Sequence, residues 1–175
     1  MMWIEVNDDA AIDKLMNEFG GFHDSCIVSI SYSSGAYVDE NGAMGDGSAD
    51  EHKISMIVHS QWANAVELCF SGVKKCGITG FRESYFCNLY DATLEFRTDL
   101  LGKTRDDRLI VWADHSGFDP LTHTERYPLD NGYETTFIIA EKLKYRFWSK
   151  EAHTNETSFP DSSGQLWRGR DARRG

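Results

Sequence analysis

Long apolar runs are absent from this sequence, and cysteine is scarce. No stretch approaches the roughly 20 consecutive apolar residues that a membrane-spanning helix needs, and residues 1–9 are acidic where a signal peptide is basic and apolar. The four cysteines form neither a CxxC pair nor a Cys/His group at zinc spacing; they are Cys26, Cys69, Cys76 and Cys87. Isolated thiols are typical of a reducing compartment, so we expect a cytoplasmic protein without a membrane segment.

Positive charge is also in short supply. The 18 Lys and Arg residues are outnumbered by 28 Asp and Glu residues, which leaves a net charge of −10 at pH 7. Most of such a surface would repel a phosphate backbone, so we expect no nucleic-acid partner. The same charge is compatible with a basic protein as the partner.

The length of 175 residues suits one domain with its own apolar core. Residues 1–148 carry the patterned segments and are predicted to form a single β-rich domain. Residues 149–175 are polar, rich in Ser and Gly, and end in a group of arginines, namely Arg168, Arg170, Arg173 and Arg174. We expect this C-terminal tail to be flexible.

A helix is predicted over residues 7–20. Asn7 or Asp8 can cap its first turn. Apolar side chains then recur at helical spacing, at Ile12, Leu15, Met16 and Phe19. Gly20 suits the left-handed position that ends a helix. Since the apolar stripe has to be buried, the helix is expected to pack on a sheet.

Strand patterns dominate the rest of the domain. Apolar and polar residues alternate with the period of an antiparallel sheet that is solvated on one face. The residues predicted to face the core are Cys26, Val28, Ile30, Tyr32, Ile54, Met56, Val58, Trp62, Val66, Leu68, Phe70, Ala92, Leu94 and Phe96. Leu109–Ala113 is apolar throughout, which allows burial on both faces.

Residues 135–148 form the longest predicted strand. One face of this strand is apolar, with Phe137, Ile139, Leu143, Tyr145 and Phe147. Glu141 interrupts that face, and a β-bulge near Ala140 would turn its carboxylate outward. The opposite face carries a basic row that could pair with Glu67 or Glu95 across a sheet; its members are Lys142, Lys144 and Arg146.

These elements predict an α+β fold. It consists mainly of one twisted antiparallel sheet of about six strands, with the N-terminal helix packed on its apolar face. The sheet could also curl toward a barrel. Residues 39–51 are rich in Gly, Asp and Ser, and they predict a mobile acidic loop between strands.

The joint between the helix and the first long strand reads GGFHDSC, residues 20–26. His23 could be a general base that Asp24 orients, with Ser25 or Cys26 as the nucleophile. Neighbouring residues of an extended chain point to opposite faces, however, so adjacency does not build a triad. The favoured interpretation is structural. Asp24 or Ser25 caps backbone amides, His23 packs beside the helix end, and Cys26 is the first inward residue of the strand.

A second polar group follows Leu109–Ala113. Asp114 and His115 come directly after that strand, and His123 lies further along the same loop. Together with His23 and Asp24 they could supply oxygen and imidazole ligands for a metal. None of the usual motifs for metal binding or nucleophilic catalysis is present in the sequence, so we expect no metal or other cofactor.

Several segments resemble a group of bacterial hypothetical proteins. They are the amphipathic helix followed by GGFHDSCIVSI, then YVDENGAM, VELCF and LYDATLEF, over residues 1–148. The joint of Phe22, His23 and Asp24 is similar to one in polymorphic-toxin immunity proteins. The resemblance implies a small β-rich cytoplasmic fold and an inhibitor that binds a toxin, and it brings no catalytic residues.

Two functions are therefore expected from the sequence. The first is a non-catalytic protein-binding domain, of the kind that an immunity-type inhibitor uses against a toxin. The alternative is a metal-dependent or His/Asp-based hydrolase that uses His23, Asp24, Asp114 and His115.

Overall fold

The structure is a computed structural model that describes residues 2–79, 88–101, 108–122 and 135–148. These residues contain one α-helix, α1 (Asp9–Glu18), and two short 3₁₀ helices, Gly20–Phe22 and Ala49–Glu51. Their strands are β1 (Ile4–Val6), β2 (Ser25–Ser33), β3 (Tyr37–Val38), β4 (Met44–Gly45), β5 (Lys53–Ser60), β6 (Ala65–Ser71), β7 (Lys75–Gly77), β8 (Asn88–Leu89), β9 (Thr93–Arg97), β10 (Leu109–Ala113), β11 (Phe137–Ala140) and β12 (Lys142–Trp148).

The strands form a six-stranded antiparallel sheet in the order β1-β12-β6-β5-β2-β8. This sheet and the N-terminal helix confirm the α+β prediction. In the described part of the chain β1 and β8 are the two edges of an open sheet, so it does not curl into a barrel. A four-stranded antiparallel sheet, β7-β11-β10-β9, and a two-stranded ribbon, β3-β4, were not predicted as separate units.

Helix α1 follows the predicted pattern but ends earlier than residue 20. Asp8 is the N-cap, and its Oδ1 accepts a hydrogen bond from the Ala11 N–H at 2.8 Å. Leu15 and Phe19 lie on the predicted apolar stripe and are fully buried. Gly20 adopts a left-handed conformation with φ of 64°, as predicted for the end of a helix.

The main core combines apolar residues from both large sheets and from α1. Ile110 and Trp112 of β10 contribute to this core, whereas Val111 and Leu109 point to a second apolar cluster with Phe118. Alternate residues of β10 thus serve two clusters. The prediction that this strand is buried on both faces is confirmed.

Strand β2 departs from the predicted alternation because it contains a β-bulge. Ile27 pairs with Val58 of β5, and the next paired residue, Ser29, lies opposite Ile57. Val28 is therefore the extra residue, and its side chain is exposed. The bulge shifts the phase of the strand, so that Ile27, rather than Val28, packs against the core.

The predicted strand over residues 135–148 is two strands in two different sheets. The chain passes from β11 to β12 at Glu141, whose N–H donates to the carbonyls of Ser71 and Gly72 at 3.2 Å. The Glu141 carboxylate pairs with Lys74 Nζ at 2.6 Å. A crossing between sheets thus takes the place of the predicted bulge. Phe137 and Leu143, which were predicted to share one face of a single strand, belong to different apolar clusters.

The basic row of β12 pairs across the outer face of the six-stranded sheet, as predicted. Arg146 Nε donates to Glu67 Oε2 at 2.7 Å, and Ser55 Oγ donates to Glu67 Oε1 at 2.9 Å. The Arg146 guanidinium also lies 4.4 Å from the ring centre of Trp3 and 4.5 Å from that of Trp148. The other proposed acceptor, Glu95, pairs with Arg97 of its own strand instead.

Residues 39–51, predicted as a mobile loop, include an ordered turn, strand β4 and a 3₁₀ helix. Several predicted features lie outside the described residues, namely Cys87, His123 and the tail over residues 149–175. Within the described ranges, no helix has both the length and the apolar character to cross a membrane.

Candidate functional site

The joint between α1 and β2 has an unusual backbone. Gly20 and Gly21 both have φ of 64°, and the non-glycine residues Phe22 and Asp24 have φ of 65° and 51°. A bulky residue rarely adopts this left-handed conformation. Here Phe22 is fully buried and packs near the ring of Trp112, at a centroid distance of 6.0 Å. Burial of Phe22 therefore holds the turn that projects His23 toward solvent.

His23, Asp24 and Trp62 form a hydrogen-bonded group on the surface. His23 Nδ1 lies 3.0 Å from Asp24 Oδ2, and the Trp62 indole N–H donates to the same oxygen at 3.0 Å. The hydrogen bond from Trp62 lowers the pKa of Asp24, and His23 acts in the same direction. The Asp24 carboxylate is consequently ionised at neutral pH and accepts from two ring systems.

The structural interpretation of the joint was wrong in its details. Among the described residues, the hydrogen bonds to the Asp24 carboxylate come from the side chains of His23 and Trp62, and the His23 side chain is 64% exposed rather than packed beside the helix. Ser25 is buried like Phe22, and its hydroxyl donates to the Phe22 carbonyl. Cys26 is half-buried and lies opposite His59. The joint is thus closed by Ser25, while His23 and Asp24 face outward.

Strand register places this group at one end of the six-stranded sheet. Ser25 pairs with Leu89 of β8 on one side and with Ser60 of β5 on the other. One residue further, the Gln61 N–H donates to the Asp24 carbonyl at 3.0 Å. Tyr90 and Asp91 follow Leu89 directly in the chain, where β8 ends at this end of the sheet.

Trp62 was predicted to face the core, and that prediction was wrong. Strand β5 ends at Ser60, whose Oγ accepts from the N–H groups of Trp62 and Ala63 at 3.1 and 3.2 Å. This turn ends the alternation, and it leaves the Trp62 side chain 80% exposed.

Asp91 connects the joint to the loop that follows β10. Its carboxylate accepts from the Ser116 N–H at 2.8 Å and from Ser116 Oγ at 2.5 Å. These hydrogen bonds lower the pKa of Asp91, and the nearby His115 and His23 act in the same direction. Thr93 Oγ1 also donates to the His115 carbonyl at 2.8 Å. Two of the predicted site residues, His23 and His115, therefore both influence the pKa of this one carboxylate.

Asp114 extends the pairing of β10 with β11, since its N–H donates to the Thr136 carbonyl at 3.0 Å. It directly precedes His115, as the sequence requires. His123, the remaining candidate, lies outside the described residues. In the ranges that are described, no group of three or more His, Cys, Asp or Glu side chains is arranged to hold a metal ion.

We call the exposed group at this end of the sheet the sheet-end patch. It consists of His23, Asp24, Trp62, Tyr90, Asp91 and His115. Sequence reasoning missed three of these residues, Trp62, Tyr90 and Asp91. A local signal did exist, because Ser60 and Asp91 are residue types that end strands and cap turns. The patch presents two exposed aromatic rings beside two ionised carboxylates.

No family model matches this chain, and no curated protein or solved structure matches it significantly.

Proposed function

We propose that this chain is a non-catalytic protein-binding domain, an immunity-type inhibitor that acts by binding a basic toxin. The observation that carries the proposal is Trp62, which is 80% exposed while its indole N–H is held by Asp24. Tryptophan is among the residues that dominate binding energies at protein interfaces. A side chain that is already oriented loses less conformational entropy on binding than a freely rotating one.

The charges around Trp62 favour a cationic partner. Asp24 and Asp91 are carboxylates at neutral pH, as ordinary aspartates are, and hydrogen bonds lower their pKa values further. Tyr90 is also exposed in this patch. Aromatic faces and carboxylates together suit the guanidinium or ammonium group of an arginine or lysine side chain. The net charge of −10 would also attract a basic protein over longer distances.

The sequence leads us to expect that the joint resembles that of immunity proteins, and this expectation agrees with the proposal. Of the three residues concerned, Phe22 is buried, whereas His23 and Asp24 belong to the sheet-end patch. A feature that looked like a simple connection thus supports a binding surface.

The test is to express the product of the adjacent gene with and without this chain, and to measure binding of the two purified proteins by calorimetry. Rescue of growth and direct binding are expected. Trp62→Ala should weaken the binding by about 30-fold, which corresponds to a contribution of about 2 kcal/mol. Trp62→Phe should have an intermediate effect, because it keeps a ring but loses the hydrogen bond to Asp24.

Leu121→Ala is the matched control. Leu121 is also an exposed apolar residue. Its N–H donates to Asp119, which accepts a hydrogen bond from Arg97. Arg97 is the last residue of β9, so Leu121 lies away from Thr93 at the start of that strand. This substitution should leave binding unchanged. Absence of binding by the wild-type chain, or equal effects of Trp62→Ala and Leu121→Ala, would contradict the proposal.

A His/Asp-based hydrolase is the second candidate, and one observation favours it. His23 Nδ1 lies 3.0 Å from Asp24 Oδ2, which would orient the imidazole as a general base. A screen with ester, phosphoester and peptide substrates would test this function. Activity that disappears in His23→Ala but survives in Trp62→Phe would support the hydrolase over the binding domain.

A further inference from the structure

We propose that the β3–β4 ribbon is a second docking element, which contacts an apolar and basic surface of the same protein partner. This inference rests on the proposed protein-binding function. The ribbon consists of Tyr37–Val38 paired with Met44–Gly45. It follows β2 directly and forms a sheet of its own, separate from the two large sheets.

The base of the ribbon is anchored in a defined conformation. Ser48 and Glu51 form a capping box, in which the Ser48 N–H donates to Glu51 Oε2 at 2.6 Å. Gly35 and Gly47 pack so closely against this group that a Cβ atom at either position would lie 2.9 Å or less from it. The anchor explains why so short a ribbon, which would be marginal by itself, is held in place.

The tip of the ribbon is fixed by one aspartate. Asp39 Oδ1 accepts from the N–H groups of Asn41 and Ala43 at 2.9 and 2.8 Å. The Asp39 N–H donates to the Ala43 carbonyl at 2.9 Å and so closes the turn. Both ends of the ribbon are therefore ordered by polar contacts rather than by an apolar core.

An apolar pair lies exposed between these two ends. Val38 and Met44 are cross-strand partners, so their side chains share one face of the ribbon. Val38 is 66% exposed and Met44 is 89% exposed. Tyr37, which is also exposed, lies with its ring against Gly45. Because the ribbon is ordered while its valine and methionine are exposed to solvent, it suits binding to another protein that buries these two side chains.

Charge complementarity indicates which protein that is. Residues 37–51 contain five acidic residues and no lysine or arginine. One of them, Asp50, is paired with Lys142 at 2.8 Å. Glu40 and Asp46 border the turn without such a cation in the described part of the chain, so the rim of the apolar pair is anionic. A second copy of this chain would bring two anionic rims together, and repulsion between them favours a basic partner instead.

The ribbon is independent of the sheet-end patch. The two surfaces lie beyond opposite ends of β2, which spans nine residues from Ser25 to Ser33. At the usual rise per residue of a strand, this length corresponds to about 26 Å. A substitution in the ribbon therefore leaves the hydrogen bonds of Asp24 and Trp62 intact.

The experiment uses a fluorescent peptide of alternating lysine and leucine, and its glutamate–leucine counterpart as the charge control. Binding to the full chain is measured by fluorescence anisotropy. Only the lysine–leucine peptide is expected to bind, and added salt should weaken that binding. The double substitution Val38→Ser/Met44→Ser should weaken it about tenfold, whereas Leu121→Ser should have no effect.

A second variant tests the charge separately from the apolar pair. Glu40→Lys/Asp46→Lys leaves Val38 and Met44 in place and should also weaken binding of the lysine–leucine peptide about tenfold. Circular dichroism should show all variants folded, because every altered side chain is exposed. Unchanged affinity in both ribbon variants, or equal binding of the two peptides, would overturn the inference.

Self-association is measured in parallel by analytical ultracentrifugation. A wild-type dimer that the Val38→Ser/Met44→Ser variant dissociates would assign the ribbon to a second copy of the chain and overturn the choice of a basic partner. Failure of the proposed function gives a different result, namely no binding between the wild-type chain and the product of the adjacent gene.

Discussion

The indole N–H of Trp62 donates to Asp24 Oδ2 at 3.0 Å, although the two residues lie 38 positions apart in the sequence. This hydrogen bond connects the turn after β5 to the entrance of β2. It also orients the exposed Trp62 ring near His23, the residue that follows the 3₁₀ helix Gly20–Phe22.

The Asp24 carboxylate should make stability depend on pH in the acidic range. Its pKa is lowered in the folded protein, first by the Trp62 hydrogen bond and then by His23. The stabilisation is therefore fully present above the unfolded pKa of about 4, and it is lost as the pH falls through the lower folded value. Asp24→Asn should remove this dependence.

The measurement is urea unfolding of the wild type and of Asp24→Asn at several pH values. Other carboxylates titrate in both proteins, so their effects cancel in the difference between the two stability curves. The difference should shrink as the pH falls below about 4. A constant difference over that range would show that Asp24 is not coupled to folding.

Gly21 should resist substitution for conformational reasons alone. Its φ is 64°, and a Cβ atom at this position would meet nothing within 4 Å. Gly21→Ala should therefore lower the free energy of unfolding by about 1–2 kcal/mol, the usual cost of a left-handed alanine. Gly21→Asn should cost less, because asparagine tolerates this conformation. Equal stability of all three proteins in urea titrations would refute the assigned backbone.

Arg146 should not be replaceable by lysine. Its guanidinium binds Glu67 and lies within 4.5 Å of the ring centres of both Trp3 and Trp148. Two guanidinium nitrogens of Arg146 contact Glu67 Oε2, and lysine, with one nitrogen and no planar group, cannot keep both of these contacts and both ring contacts. Arg146→Lys should destabilise the fold by about 1–2 kcal/mol.

A double-mutant cycle with Glu67→Gln separates the ion pair from the stacking. Arg146→Lys should cost less in the Glu67→Gln background than in the wild type, because the pair is already broken there. Strictly additive effects of the two substitutions would mean that Glu67 and Arg146 do not interact in solution.

The cysteine thiols should differ in reactivity. Cys69 is half-buried, and burial raises its pKa. Burial also raises the pKa of Cys76, but that residue is exposed. Iodoacetamide at pH 8 should therefore modify Cys76 before Cys69, since burial limits access to Cys69. Peptide mass spectrometry over a time course checks the order, and faster labelling of Cys69 would contradict the structure.

Elements with a clear local period could be predicted from the sequence. Helix α1 and the inward residues of β5 and β6 follow the 3.6 and 2.0 periods closely, because each contacts the core along its whole length. The prediction failed at Val28, Trp62 and Glu141, where the chain inserts a residue, ends a strand or changes sheet. The bulge, the strand end and the change of sheet depend on which strands become neighbours. The alternation of apolar and polar residues within one segment carries no information about those neighbours.

The candidate site depends on the same kind of contact between distant segments. His23 and His115 were proposed as members of one group, and both lower the pKa of Asp91. Asp91 itself was missed, because its role depends on the loop after β10 returning to the end of β8. Trp62 was missed because an apolar residue in an alternating segment normally points inward. Its exposure follows from the Ser60 turn that ends the strand.

The position of β12 has a consequence for synthesis of the protein. This strand is the last one in the described chain, yet it lies between β1 and β6. The ribosome adds about 5–20 residues per second, so β1 waits roughly 7–28 seconds for the strand that pairs with it. From the completion of β6 until β12 is made, β6 is an open edge that could pair with other nascent chains. A ribosome that stalls before residue 142 would leave this edge exposed, and such a product would be a natural target for chaperones and proteases.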